Sequence, residues 1–443
     1  MASPTTPPSS AGPAAGKLSR RSFSILFAVS IVVAIGNTGL LSVLPAIGRE
    51  IGIPDPMVAA IFSLSALLWA IGSPFWARQS DVHGRKPLIM LGLAGFGVSM
   101  FLCGLVVSAG LHKLAPPLII FLLFLFARAL FGMIGSASNP AAQAYMAERT
   151  SREERTQAMA LLAGAFGLGT VIGPAIAPLF VLPVVTLAGP LYAFAVAAFV
   201  ILVVVHRMLP EGDLTEAQRR QAKPPPPVKG APALWRDPRV APFLLYGFLV
   251  ALCQTVQTQT LGFMIIDKLQ VSPLEAQGYT AVAMMAGAVA GLLAQWALIR
   301  MFRMSPSSLL RWGAGLAAGA NLLVAFAPSY WTVVVGYSVA SLGYAFARPG
   351  FSAGASLSVQ MHEQGRVAGA ISSIFGLNVI FAPLFVWLYQ HAHAGPFLLN
   401  MVILGGLFVY AFKNGVLRQS GENPTDDEET AASLLERNDE GGF

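Results

Sequence analysis

The chain has 443 residues, 55% of them hydrophobic and only 11% charged, with a formal net charge of +7. A soluble globular domain carries about 25% charged residues, so this composition leaves too little polar surface for a water-soluble fold. The basic excess lies in short segments between long apolar runs, a pattern of membrane loops and not of a nucleic-acid-binding face. Cys103 and Cys253 both fall inside apolar runs without metal-ligand spacing and are read as small core residues.

Residues 1–21, rich in Pro, Ser and Ala, are expected to form a disordered cytoplasmic N-terminus. The apolar run that follows is too long for a secretory leader and is read as the first spanning helix. About 20 apolar residues cross the hydrocarbon core, and twelve such spans are expected. Spans 1 to 6 are placed at 22–47, 57–77, 87–110, 117–146, 159–182 and 184–206. A polar linker, 207–240, holds Arg219, Arg220, Lys223 and the tract Pro224–Pro227. Spans 7 to 12 are placed at 241–266, 278–302, 309–328, 331–359, 367–389 and 396–412. The chain is thus expected to be an all-α membrane protein: an N-terminal six-helix half (22–206), a C-terminal six-helix half (241–415) and an acidic disordered cytoplasmic tail (416–443).

With the N-terminus inside, 23 of the 28 Lys and Arg residues lie in inner segments. Only Arg49, Lys113 and Lys268 lie outside, and Arg128 and Arg348 fall within spans. This asymmetry predicts cytoplasmic termini and a cytoplasmic linker. The two halves read as a repeat. An offset of 209 residues carries Asn139-Pro140 to Arg348-Pro349, Glu154 to Glu363, Phe166-Gly167-Leu168 to Phe375-Gly376-Leu377, and Pro174 to Pro383. Transporters built from parallel halves place the solute near the midplane between them.

Between spans 2 and 3 the sequence reads Ala77-Arg78-Gln79-Ser80-Asp81-Val82-His83-Gly84-Arg85-Lys86. This resembles the signature G-x-x-x-D-R-x-G-R-K of the major facilitator superfamily, with Ala77 at the first Gly and Val82 at the first basic position. The resemblance implies the major facilitator fold, two pseudo-symmetric six-helix halves, and alternating-access transport. Asp81, Gly84, Arg85 and Lys86 are the expected gate. A carboxylate near the positive start of span 11 would be favourable, Gly84 allows a tight turn, and Arg85 can pair with Glu148 or Glu154. The alternative is ordinary positive-inside loop charge.

In span 5, Gly169-x-x-x-Gly173 has the spacing that lets helices approach closely. Pro174, like its repeat partner Pro383, removes a backbone hydrogen bond and bends the helix. The stretch resembles the span 5 motif of the twelve-helix drug–proton antiporter branch, and Arg128 in span 4 resembles that branch's span 4 signature. Arg128 sits close to mid-membrane, where a buried arginine defaults to a functional role; the alternative is satisfaction by helix-end carbonyls. Asn37 and Thr38 in span 1, and Gln254, Gln257 and Thr258 on one face of span 7, are candidate solute-binding groups. They could instead join helices.

No Asp or Glu lies well inside any span, so proton coupling would have to use Asp81, an interfacial His or a protonatable substrate, or be absent. No catalytic motif and no phosphate loop occurs. The expectation is therefore no enzyme, no cofactor and no metal. The chain is expected to be a secondary transporter in the plasma membrane, expelling drug-like or metabolite molecules. An importer or facilitator of a polar or anionic nutrient is the alternative, and a non-transporting receptor or scaffold the third. The expected partners are a small-molecule substrate, the lipid bilayer and protons as coupling ion, with no nucleic acid and the protein a monomer. Because Arg128 lacks an intramembrane carboxylate, anionic or zwitterionic substrates are expected to neutralise it.

Overall fold

The computed structural model describes residues 19–150, 152–210, 234–360 and 363–420. The expectations for the first 18 residues, most of the linker and the acidic tail from 421 onward lie outside these. Among the described residues the chain is helical throughout, with one isolated bridge between Leu182 and Thr186. Both cysteines are buried as free thiols.

Spans 1 to 3 are the helices Arg20–Ile51, Asp55–His83 and Arg85–Leu111, each longer than its apolar run. Ser19 caps the first through the Ser22 amide, and Gly52 ends it in the left-handed region at φ 85°. Spans 2 and 3 are separated by the single residue Gly84, at φ 93° and ψ 162°, a conformation open essentially to glycine alone.

Span 4 is not the continuous helix expected. It runs as Pro117–Met133, breaks into a 3₁₀ turn at Gly135–Ala137 and resumes as Ser138–Glu148. Pro140 cannot donate to the ladder, while the Ser136 and Ser138 hydroxyls donate to the Met133 and Gly135 carbonyls. Its counterpart in the repeat, span 10, stays continuous over Tyr330–Leu357 despite Pro349. Span 5, Arg152–Ile176, tightens into the 3₁₀ segment Ala177–Phe180, and span 6 is Gly189–Met208.

Span 7 is Ala241–Leu269. Span 8 begins as Pro273–Leu293, widens to a π-helix at Ala294–Leu298 and ends at Met301. Span 9 is Pro306–Ala325, and span 11 is Gln364–Leu377 followed by a 3₁₀ turn and Ala382–His391. Span 12 is Gly395–Lys413, with a short helix, Gly415–Arg418, beyond it. Eight described helical segments are long and apolar enough to cross a membrane by length and composition; spans 5, 9, 10 and 11 are the more polar or interrupted ones.

The chain divides into two compact units. The first comprises residues 1–228, 259–285 and 379–390, and the second 229–258, 286–378 and 391–443. By packing, the end of span 7 with the start of span 8 (259–285), and the later part of span 11 (379–390), therefore group with the first six spans. In the first unit span 1 lies against span 5 at glycine-width distance. A Cβ on Gly169 would lie 2.5 Å from the Ala34 Cβ, and one on Gly173 would lie 2.5 Å from the Ile35 carbonyl oxygen. The second unit is centred on Phe243, Tyr246, Leu310, Tyr344 and Phe351.

Candidate functional site

Arg128 is held in the first unit with 1% of its surface exposed. Span 4 carries it inward, and span 1 brings Asn37 to meet it: the guanidinium Nη2 donates to Asn37 Oδ1 at 2.8 Å. The rings of Phe131 and Phe62 lie 4.5 and 5.3 Å from the guanidinium carbon. Trp69 and Phe96 back the Phe131 ring at centroid distances of 5.1 and 5.3 Å. The aromatic faces supply part of the compensation that a buried cation requires, a source that hydropathy alone does not reveal. Nε and Nη1 remain without a hydrogen-bond partner among the described residues. Two charged donors left unmade cost about 1–3 kcal/mol each, and a ligand acceptor would recover it.

Thr38, one residue along span 1, is placed differently. Its hydroxyl donates to Ala34 O at 2.8 Å and to Gly169 O at 3.2 Å, so it joins span 1 to span 5. The span 7 candidates lie in the second unit. Gln257 is buried, and the Thr258 hydroxyl donates back to the Gln254 carbonyl at 2.8 Å. The neighbouring Thr255 hydroxyl donates to Asn378 Oδ1 at 2.6 Å, tying span 7 to span 11. Arg348 is exposed on span 10, in contrast to Arg128.

At the junction of spans 2 and 3 the expected partner of Arg85 is present. Its Nη2 lies 2.6 Å from Asp81 and 2.7 Å from Glu148, and its Nε donates to Glu148 at 2.8 Å. Asp81 lies just before span 3, as expected, and within the last turn of span 2, which runs on to His83. A carboxylate there faces the negative helix end, and Arg85 offsets it. Lys86 is partly buried in the first turn of span 3.

A second cluster, which the sequence does not single out, joins the end of span 1 to spans 2, 7 and 11 within the first unit. Arg49 at the end of span 1 holds Asp55 of span 2 through Nε and Nη2, at 2.8 and 2.7 Å. The same guanidinium holds Asp267 of span 7 through Nη1 and Nη2, at 2.7 and 3.2 Å. The Tyr389 hydroxyl of span 11 donates to Asp267 Oδ2 at 2.9 Å. Next to it, Pro45 lies where a Cβ on Gly262 would be, and Ser63 donates to the Val379 carbonyl at 2.7 Å. One guanidinium thus binds two carboxylates, and spans 1, 2, 7 and 11 meet around it. The signal available in the sequence was Arg49 itself, one of three outer basic residues and six positions before Asp55.

The family model of the Major Facilitator Superfamily matches residues 26–383. The chain belongs to the Major Facilitator Superfamily. Over 371 residues it is 25% identical to "Multidrug resistance protein 1" of Bacillus subtilis (strain 168), covering 82% of this chain and 87% of that protein. It is 31% identical to "Multidrug resistance protein 2" of the same organism over 152 residues, 34% of this chain and 35% of the relative's length. The human organic anion transporter MFSD10 (TETRAN) has the same fold, with a TM-score of 0.62 at 21% identity over 90% of this chain and 100% of that one. As a facilitator-superfamily protein the chain is a multi-pass membrane transporter of small molecules, not an enzyme. The fold is the major facilitator fold that the loop between spans 2 and 3 led us to expect.

Proposed function

We propose that this transporter expels drug-like or metabolite molecules through the plasma membrane, and that anions or zwitterions are among its substrates. The observation that carries the substrate class is the fully buried Arg128, whose Nε and Nη1 lack partners among the described residues while Nη2 is fixed by Asn37. A carboxylate or phosphate on the solute would complete it. Efflux is supported by the multidrug resistance proteins that the chain resembles. The proposed arrangement has both termini cytoplasmic, a monomeric protein and protons as coupling ion. Gln254, Gln257 and Thr258 are proposed to give neutral hydrogen bonds to the solute. Asp81, Gly84, Arg85 and Lys86 are proposed as the inner gate, and the Arg49 cluster as the outer one.

The test uses a bacterial strain stripped of its own exporters. Expression of the wild type should raise tolerance to anionic or zwitterionic toxic compounds. Breaking a buried charge interaction costs about 3–5 kcal/mol, so Arg128→Ala should abolish that tolerance. Arg128→Lys should restore little of it, because a point charge cannot reproduce the planar fork. Both variants must first be shown to insert and fold. Equal tolerance in Arg128→Ala, or a substrate range limited to permanent cations, refutes the assignment. A growth defect on one nutrient after gene deletion would instead favour import.

A further inference from the structure

The basic residues of the two units are handled differently. In the first unit Arg85 is bound by Asp81 and Glu148, and Arg149 lies 3.6 Å over the Tyr145 ring with Glu148 at 3.9 Å. In the second unit Arg239, before span 7, is bound by Asp237 and Glu363, and this guanidinium holds the Asp237 carboxyl below its ordinary range. Among the described residues the ends of spans 8, 9 and 12 have no such partners. Between Glu275 and Glu363, and again between Glu363 and Glu422, the sequence contains no Asp or Glu. Among the described residues Arg300, Arg303, Arg311, Lys413 and Arg418 form no ion pair; ion pairs lie at Arg49, Arg85, Arg149 and Arg239.

These five cations share one end of the unit. The Ser307 amide donates to the Ser420 carbonyl at 3.3 Å, which sets the segment after span 12 against the start of span 9. Arg418 is two residues before that contact, Arg303 four residues before Ser307, and Arg311 about one helical turn after it. Arg311 is not a freely solvated surface arginine. Its guanidinium carbon lies 4.5 Å from the Phe412 ring centroid, and its Nε is buried without a partner. The adjoining surface is apolar and bare: Met301, Phe302, Trp312 and Phe412 are 65, 66, 60 and 47% exposed. Unpaired guanidinium and ammonium groups bordered by exposed aromatic and aliphatic side chains match a phospholipid, with an anionic headgroup over the cations and acyl chains along the rings. A solute of the aqueous phase would not require the apolar border.

We infer that the ends of spans 8, 9 and 12 form a binding site for an anionic phospholipid, with Arg311 as the oriented phosphate ligand and Arg303 and Arg418 beside it. Guanidinium groups suit this because their planar fork pairs with phosphate oxygens. The site is independent of the transported solute.

The full-length protein, released from nanodiscs holding equal phosphatidylglycerol and phosphatidylcholine, is examined by native mass spectrometry for retained lipid. The wild type should retain phosphatidylglycerol at least tenfold over phosphatidylcholine. Arg303→Gln/Arg418→Gln, which alters only exposed side chains, should bring the preference below threefold. Arg311→Gln should do the same, and Arg311→Lys should keep part of it. Equal retention of the two lipids by the wild type overturns the inference, as does an unchanged preference in both the double variant and Arg311→Gln. Thermal stabilisation of the wild type by inorganic phosphate as large as that by phosphatidylglycerol would also overturn it. So would a preference that appears only after residues 421–443 are removed, which would put the acidic tail on these cations.

Discussion

The outer cluster makes a sharp demand on the transport cycle. If spans 1 and 7 must part at their outer ends to admit or release solute, the Arg49–Asp267 pair has to break. The pair has two hydrogen bonds, at 2.7 and 3.2 Å, with side chains 29 and 25% exposed. Water screens it partly, so the full value of a buried ion pair does not apply. Charge-assisted hydrogen bonds contribute about 1.5–3 kcal/mol, and about 2 kcal/mol is a fair value here. At 1.4 kcal/mol per decade, Asp267→Asn should shift the closed-to-open ratio by about 30-fold. A transporter closed 99 to 1 would then be open in roughly one molecule in four. Asp55→Asn is the control. It leaves the Arg49–Asp267 pair intact and removes a contact between spans 1 and 2, which are joined by a short turn. The assay is a spin-label distance distribution between Glu50→Cys and Gln270→Cys, both exposed near the outer ends of spans 1 and 7. The native cysteines are fully buried and stay unlabelled. Asp267→Asn should add a longer-distance population of about a quarter, and Asp55→Asn less than a tenth. An unchanged distribution in Asp267→Asn, or equal changes in both variants, would refute the reasoning.

Two further outcomes follow from the first unit. Gly173→Ala should lower the thermal midpoint, because its Cβ would lie 2.5 Å from the Ile35 carbonyl oxygen and 2.8 Å from the Gly39 amide nitrogen. Overpacking of this kind costs about 1–3 kcal/mol, and an unchanged midpoint would show that span 1 can shift freely. Asp81→Asn removes one of the two carboxylates on Arg85 and should raise access of aqueous probes to the inner cavity while slowing transport. Wild-type rate and wild-type access together would exclude Asp81 from the gate.

The legible parts of this protein were those with one physical reading. An uncharged run of twenty apolar residues has nowhere to go but the bilayer, and Gly169 and Gly173 four apart have little use beyond close helix contact. Gly84 is likewise readable, since its backbone conformation admits no other residue. The break in span 4 was harder. Gly132, Gly135 and Pro140 were all in view, but Pro349 in span 10 interrupts nothing, so the residues alone do not decide where a ladder gives way. Arg128 and Asn37 were each identified for the cost of polar groups in a membrane, whereas their pairing depends on which face of span 1 meets span 4. Thr38 illustrates the same limit from the other side, its hydroxyl being turned to a neighbouring backbone carbonyl.

Arg49, Asp55 and Asp267 escaped notice because charges near span ends satisfy topology rules however they are partnered. Orientation counts treat such a charge as a label of sidedness, while geometry makes it a bond between helices distant in sequence. The distinction has a physical basis: sidedness depends on the sum of charges in a segment, a gate on the positions of individual atoms. For a facilitator, whose two outer ends must be both joined and separable, the informative charges are therefore those that run against the count. Arg49 is such a residue, a cation that the charge count expects on the outer side, held by two carboxylates from two other spans. An ion pair is tolerable there because it is only partly buried, and under the proposed gate it would be strong enough to close that end and weak enough to break in each cycle.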